Sequence, residues 1–228
     1  MTRITEQIER LQERIETAAD RAGRDAQAIR IVAVSKKNPT AAIHAAQAAG
    51  LTRFGENYVQ EALPKIAAIG PPVEWHFIGT VQSNKAGDIA RHFEWAHAVS
   101  SVRAARRLSA HRPPDADDMQ VCIQLQPDRA PERAGVDAGG ARELAELLEQ
   151  LPHIRLRGLM IMPLPGLPAD ALRREFARAR QLLESLRNAG YAVDTLSMGM
   201  SGDLEAAIME GSTMVRIGTD IFGPRTND

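Results

Sequence analysis

Cysteine occurs once in these 228 residues, as Cys122, so the chain has no internal disulfide framework and no cysteine-rich metal site. Cys122 lies in the run Val121-Cys-Ile-Gln-Leu125, where it reads as a buried small hydrophobe and not as a nucleophile. Lysine is also scarce: Lys36, Lys37, Lys65 and Lys85 stand against 24 arginines. The net charge of -1 offers no positive surplus for nucleic acid or an anionic membrane, and neither is expected as a partner. No apolar run approaches the roughly 18 residues of a transmembrane helix. The opening MTRITEQIERLQERIETAADRAG is charged throughout and lacks the apolar core of a signal peptide, so the cytoplasm is the expected compartment. His44, His92, His97, His111 and His153 show no metal-ligand spacing, and no metal is expected.

What the chain does have is alternation. Apolar stretches of strand type fall at 31–34, 53–55, 74–78, 95–98, 120–125, 155–160, 195–197 and 214–217. Between them, helical spacing falls at 40–49, 58–69, 84–92, 102–111, 140–150, 170–189 and 203–210. A helix over 4–22 precedes them all, with Ile4, Ile8, Leu11, Ile15 and Ala18 on one face. Such alternation implies parallel strands joined by right-handed crossovers. The expected architecture is a (β/α)8 barrel in one domain, residues 1–228, with an open doubly wound sheet as the rival. After the last strand too few residues remain for an eighth outer helix, so the N-terminal helix is expected to cover that gap. Loops are expected at 113–118, 127–139 and 163–169; the last follows a strand and could form part of a lid. Trp75, Phe93 and Trp95 read as packing residues and His76 as a hydrogen-bonded core histidine.

Ile31-Val-Ala-Val-Ser-Lys36-Lys37-Asn-Pro39 carries the most chemistry. Its apolar run reads as a strand buried on both faces, which Pro39 cannot extend. Lys36 therefore sits at the strand's C-terminal end, where α/β proteins bind ligands. A partly desolvated lysine there can form a Schiff base with a carbonyl compound. Lys37 should point the other way, to the surface. Polar residues follow other strands too: Gly55-Glu-Asn57-Tyr58, Gly79-Thr-Val-Gln82-Ser-Asn84-Lys85, Ser201-Gly202-Asp203 and Gly218-Thr219-Asp220. Ser201 and Gly202 are expected to open a helix whose free N–H groups favour an anion, with Gly218 and Thr219 beside them. Loops after strands seven and eight are the recurrent phosphate site of such barrels. Arg216, inside the last strand, is either surface-directed, ion-paired or turned inward to an acceptor. These residues alone allow an aldolase-like enzyme acting on a sugar-phosphate ketone. They equally allow a site for pyridoxal 5′-phosphate (PLP), which joins an aldehyde to a phosphate.

Five motifs in the same order, VAVSKKNP, FGENYVQE, HFIGTVQSNK, LSMGMSGD and VRIGTDIFGPR, resemble the YggS/PROSC family of PLP homeostasis proteins, from about residue 5 to Arg225. The resemblance implies a TIM barrel of the alanine racemase N-terminal type with an extra N-terminal helix. It implies PLP held as a Schiff base on Lys36, its phosphate at Ser201, Gly218 and Thr219, Arg216 facing the pyridine nitrogen and Asn57 beside the ring. A cation at that nitrogen disfavours its protonation and weakens PLP as an electron sink. The segment 123–135 departs from the family: Gln126 and Arg133 stand where Asn and Ser-Lys are usual, and no role is assigned to Arg133. Alanine racemase draws its second base, a tyrosine, from a separate domain, while Tyr58 and Tyr191 are the only tyrosines here. The expectation is a non-catalytic carrier that buffers or delivers PLP and affects amino-acid balance indirectly. A weak racemase is the alternative. PLP-dependent apo-enzymes are the candidate recipients, and a monomer is expected.

Overall fold

Strands with both faces buried must lie inside a layered structure, and the eight short apolar segments do so. The structure, a computed structural model, describes residues 2–224 apart from 129 and 131. Its strands are β1 (Arg30–Val34), β2 (Arg53–Glu56), β3 (Glu74–Phe77), β4 (Trp95–Val99), β5 (Met119–Leu125), β6 (Ile154–Ile161), β7 (Thr195–Ser197) and β8 (Met214–Ile217). All pair in parallel in chain order, and β8 returns to β1 with Arg30 opposite Met214 and Ala33 opposite Ile217. Closure leaves no edge strand, and the open-sheet alternative falls.

Outside lie α1 (Arg3–Arg21), α2 (Thr40–Ala48), α3 (Val59–Ile69), α4 (Ala86–His92), α5 (Val102–His111), α6 (Ala138–Glu149), α7 (Ala169–Asn188), α8 (Leu204–Met209) and α9 (Thr219–Phe222). The chain is a (β/α)8 TIM barrel. Among the described residues only the single turn α9 follows β8, and α1 packs beside α8 and α9 as expected, burying Ile8, Leu11, Ile15 and Ala18. Each of the larger three contributes on the order of 2 kcal/mol by leaving water. α6 starts earlier than expected because Asp137 accepts from the Gly140 amide at 2.8 Å, so the loop expected at 127–139 ends there. Arg129 and Pro131 of that loop, and Arg225 of the last motif, lie outside the described residues.

Two apolar clusters define which way each strand residue faces. Val32, Trp95, Ala98, Cys122, Met160 and Met214 fill the barrel interior. Ala33, Phe54, Val215 and Ile217 join the larger cluster between strands and helices, with Trp75 and Phe93. On β1, Val32 is inward and a Cβ at Gly218 would touch Val34 at 3.6 Å, so Val34 is inward too. On β8, Met214 and Arg216 share the inner face. β6 breaks the rule: the β5–β6 register shifts, Val121 pairing Leu156 and Cys122 pairing Gly158. The extra residue, Arg157, is thereby aimed at Gln120 Oε1 (2.8 Å) and over the Trp95 ring (5.2 Å).

Candidate functional site

The residues singled out in sequence lie at the C-terminal ends of four adjacent strands. Lys36 is half-buried in the turn leaving β1, Asn57 follows β2, Ser201 follows β7, and Gly218 and Thr219 follow β8. Because β1 lies between β2 and β8, these all share one mouth. Lys37 is exposed, as expected, but not by strand alternation: it lies in the turn, with φ 62°. Ser201 to Asp203 also depart from expectation, since they form a turn and α8 begins at Leu204. Ser201 Oγ instead accepts from the Asp220 amide at 3.3 Å, tying the β7 loop to the β8 loop. Asp203 turns back to accept from the Met200 amide.

Several features leave room and unmet bonding for a ligand. Asn57 Oδ1 is sealed from water and has no donor among the described residues. A side-chain amide so placed needs an external partner. Gly79 fixes its backbone, since a Cβ there would fall 2.3 Å from the Asn57 carbonyl oxygen. Beside it opens a cavity of about 250 Å³ lined by Asn57, Tyr58, Phe77, Gly79, Gln82 and Lys85. At Gly202 a Cβ would meet nothing within 4 Å, and at Gly218 only ordinary contacts, so protein packing does not demand either glycine.

Arg216 settles inward, 5% exposed, below Gly218. Its Nη1 donates to the Ser197 carbonyl and to Ser197 Oγ, both at 2.7 Å, and its Nη2 donates to the Ile161 carbonyl at 3.1 Å. Burial pulls its pKa down to about 10, which still leaves it a cation at neutral pH. From Ser197 a chain runs on through the barrel. Ser197 Oγ lies 2.8 Å from His97 Nδ1, His97 Nε2 2.8 Å from His76 Nδ1, and His76 Nε2 2.8 Å from Glu74 Oε1. Arginine can only donate, so the Ser197 hydroxyl accepts from Arg216 and donates its own hydrogen bond to His97 Nδ1. His97 Nε2–H then donates to His76, and His76 Nε2–H donates to Glu74. This order matches two neutral rings, and burial lowers the pKa of both, His97 most. Trp95 stacks on His76 at 5.4 Å. Cys122 sits in the same interior, its thiol pushed up to about 12 by burial, so it is no nucleophile.

Sequence reasoning missed Arg14. From α1 it donates to both Glu205 oxygens (2.8 and 3.0 Å), to Asp220 and to the Ser201 carbonyl (3.1 Å). It thus braces both candidate phosphate loops from behind. Arg14→Met should lower the unfolding free energy by about 1 kcal/mol in urea titrations, a network value at the upper end for partly exposed pairs. The same change at Arg10, which makes no ion pair among the described residues, should leave it unaltered. Among the described residues no group of three or more His, Cys, Asp or Glu could hold a metal, and no helix is long and apolar enough to cross a membrane.

A closed parallel barrel with a lysine at the β1 end and two small-residue loops after β7 and β8 places the chain in the class of (β/α)8 barrels whose polar residues gather at the C-terminal mouth. Within that class the chain belongs to the alanine racemase N-terminal domain family, whose model matches residues 7–226. It is 49% identical over 226 residues to a pyridoxal phosphate homeostasis protein of Pseudomonas aeruginosa, covering 99% of this chain and 97% of that one. The structure of PipY from Synechococcus elongatus with PLP bound is 36% identical with TM-score 0.85, covering 97% of this chain and all of that one. Alanine racemase of Corynebacterium glutamicum shares the barrel alone, at 20% identity and TM-score 0.67, over 92% of this chain and 59% of that one.

Proposed function

We propose that this chain binds PLP at the barrel mouth and serves intracellular PLP homeostasis, holding the cofactor as a Schiff base on Lys36 and releasing it again. The carrying observation is the shared mouth: an amine after β1, loops after β7 and β8 tied by Ser201 and Asp220, and the buried cation Arg216 beneath. PLP supplies an electrophilic aldehyde when bound. Lys36 would hold that aldehyde through its amine, with one water released on binding and taken up again on release, so no oxidant would be needed. Ser201, Gly218 and Thr219 would hold the phosphate, Asn57 would lie beside the ring, and Arg216 would face the pyridine nitrogen. The homeostasis protein of P. aeruginosa and PLP-bound PipY support PLP over a sugar phosphate.

In this reading the chain is a single-domain carrier and not a catalyst, monomeric and cytoplasmic, handing PLP to apo-enzymes that need it. Racemisation requires a second, firmly held acid. Tyr58 is 61% exposed and its hydroxyl makes no hydrogen bond among the described residues, while Tyr191 packs against the core. Incubation with PLP followed by borohydride should fix one pyridoxyl group on Lys36, located by peptide mass mapping. Lys36→Ala should abolish that product yet retain weaker PLP binding through the phosphate loops. A label on another lysine, or none, would reject the reading. Steady exchange and inversion of the α-proton of an L-amino acid in deuterated water would instead establish the racemase.

A further inference from the structure

Lys65 lies outside the residues assigned to the mouth and, unlike the other three lysines, it is buried, 7% exposed, in a chain that otherwise uses arginine. From α3 its three ammonium protons are all spent: on the Ser35 carbonyl (2.9 Å), Glu56 Oε1 (2.8 Å) and Glu61 Oε1 (2.7 Å). Ser35 Oγ also donates to Glu56 Oε1, at 2.6 Å. Glu61 Oε1 in turn accepts from the Lys37 amide. The cluster therefore grips the carbonyl just before Lys36 and the amide just after it. Lys37 lies in the left-handed region, at φ 62°, which disfavours a residue with a Cβ by roughly 1–2 kcal/mol. Such a conformation persists only where its surroundings over-determine it.

We propose that Lys65, with Glu56 and Glu61, is a positioning device for Lys36, locking the peptide that carries the reactive amine so that Nζ meets the cofactor's aldehyde at a fixed height in the mouth. Three acceptors converging on one point suit a tetrahedral ammonium and not a planar guanidinium. This explains a lysine here among 24 arginines elsewhere. Glu56 is wholly buried, so Lys65 also supplies the charge that keeps it tolerable.

The inference rests on Lys36 being the PLP amine, and the test separates the two. Glu61→Gln keeps the buried Lys65–Glu56 pair and should fold. The double variant Lys65→Met/Glu56→Gln removes both buried charges together, avoiding a lone one. Each is titrated with PLP and with pyridoxine 5′-phosphate, which has an alcohol for the aldehyde, and hydrogen exchange of the Lys37 amide is followed in the ligand-free protein. Glu61→Gln should weaken PLP about tenfold, the size of one charge-assisted hydrogen bond. It should leave pyridoxine 5′-phosphate affinity unchanged and speed exchange at Lys37. The double variant should repeat this pattern, and Lys65→Arg should fail to restore wild-type PLP affinity. Equal losses for both ligands, or no loss for PLP with exchange unaltered, would overturn the device. Were the wild type itself to give no borohydride-stable Lys36 product, the PLP reading would fail, and Lys37 exchange would still decide whether the clamp exists.

Discussion

Gly158→Ala should lower the unfolding free energy by about 4 kcal/mol, the upper end of single-residue effects, and is the largest stability loss expected of one added methyl in this chain. Gly158 sits in β6 at φ 151°, and a Cβ there would fall 1.9 Å from the Thr195 carbonyl oxygen of β7. That oxygen belongs to backbone in a strand ladder, so it cannot swing away as a side-chain tip can. The glycine completes the bulge that gives Arg157 its place over the Trp95 ring and, two residues on, turns Met160 inward. A one-residue slip would reverse every later side chain of the strand. It would also move the Ile161 carbonyl that holds Arg216. Gly190→Ala is the control: φ is 97° but nothing lies within 4 Å, so only backbone strain of roughly 1–2 kcal/mol applies. Urea midpoints for both variants separate collision from strain; equal losses would show that the β6–β7 contact is not what Gly158 protects.

That bulge also marks where sequence reasoning stops. Strand and helix order were legible because each buried strand is a bare apolar run and each helix is amphipathic, and β7 and β8 have the bounds their patterns predict. Lys36 was legible because Pro39 stops the strand and lysine is scarce. The role of α1 followed from counting what remains after β8. Arg157 was not legible, since Arg-Leu-Arg-Gly reads equally as plain alternation, and only pairing with β5 reveals the extra residue. Ser201 suggested a helix start from its neighbours' identities, whereas its hydroxyl is used across loops, on Asp220. The Lys65 clamp joins residues 35, 37, 56, 61 and 65 through space; the one signal in the sequence is the lysine count, which marks Lys65 but not its partners. Arg216 was ambiguous because its acceptors, the carbonyls of Ser197 and Ile161, leave no trace in residue type.

Acid should destabilise the protein from about pH 6.5 downward, with His97 the main cause. In the unfolded chain a histidine titrates near 6.5. In the fold, burial holds His97 well below that value, and His76 is lowered for the same reason. Below 6.5 the unfolded state therefore binds protons that the folded state refuses, so stability falls with falling pH, until the folded pKa is reached. For His97 alone the limiting slope is about 1.4 kcal/mol per pH unit between the unfolded and the folded pKa; His76 adds to it. Glu56, Glu94 and Asp203, whose pKa values burial raises, act in the opposite sense as the pH drops through their folded values, and so flatten the lower end of the curve. His97→Gln should remove about one proton from the slope when urea stability is compared at pH 7 and 5.5. An unaltered slope would assign the acid loss elsewhere. The chain's direction gives the effect a consequence at the mouth. A proton on His97 Nδ1 deprives the Ser197 hydroxyl of its acceptor and sets a second cation beside Arg216, whose Nη1 that hydroxyl receives. The fold refuses that proton until the pH reaches His97's own lowered pKa, so ligand affinity should hold through the window in which stability falls and drop only below it.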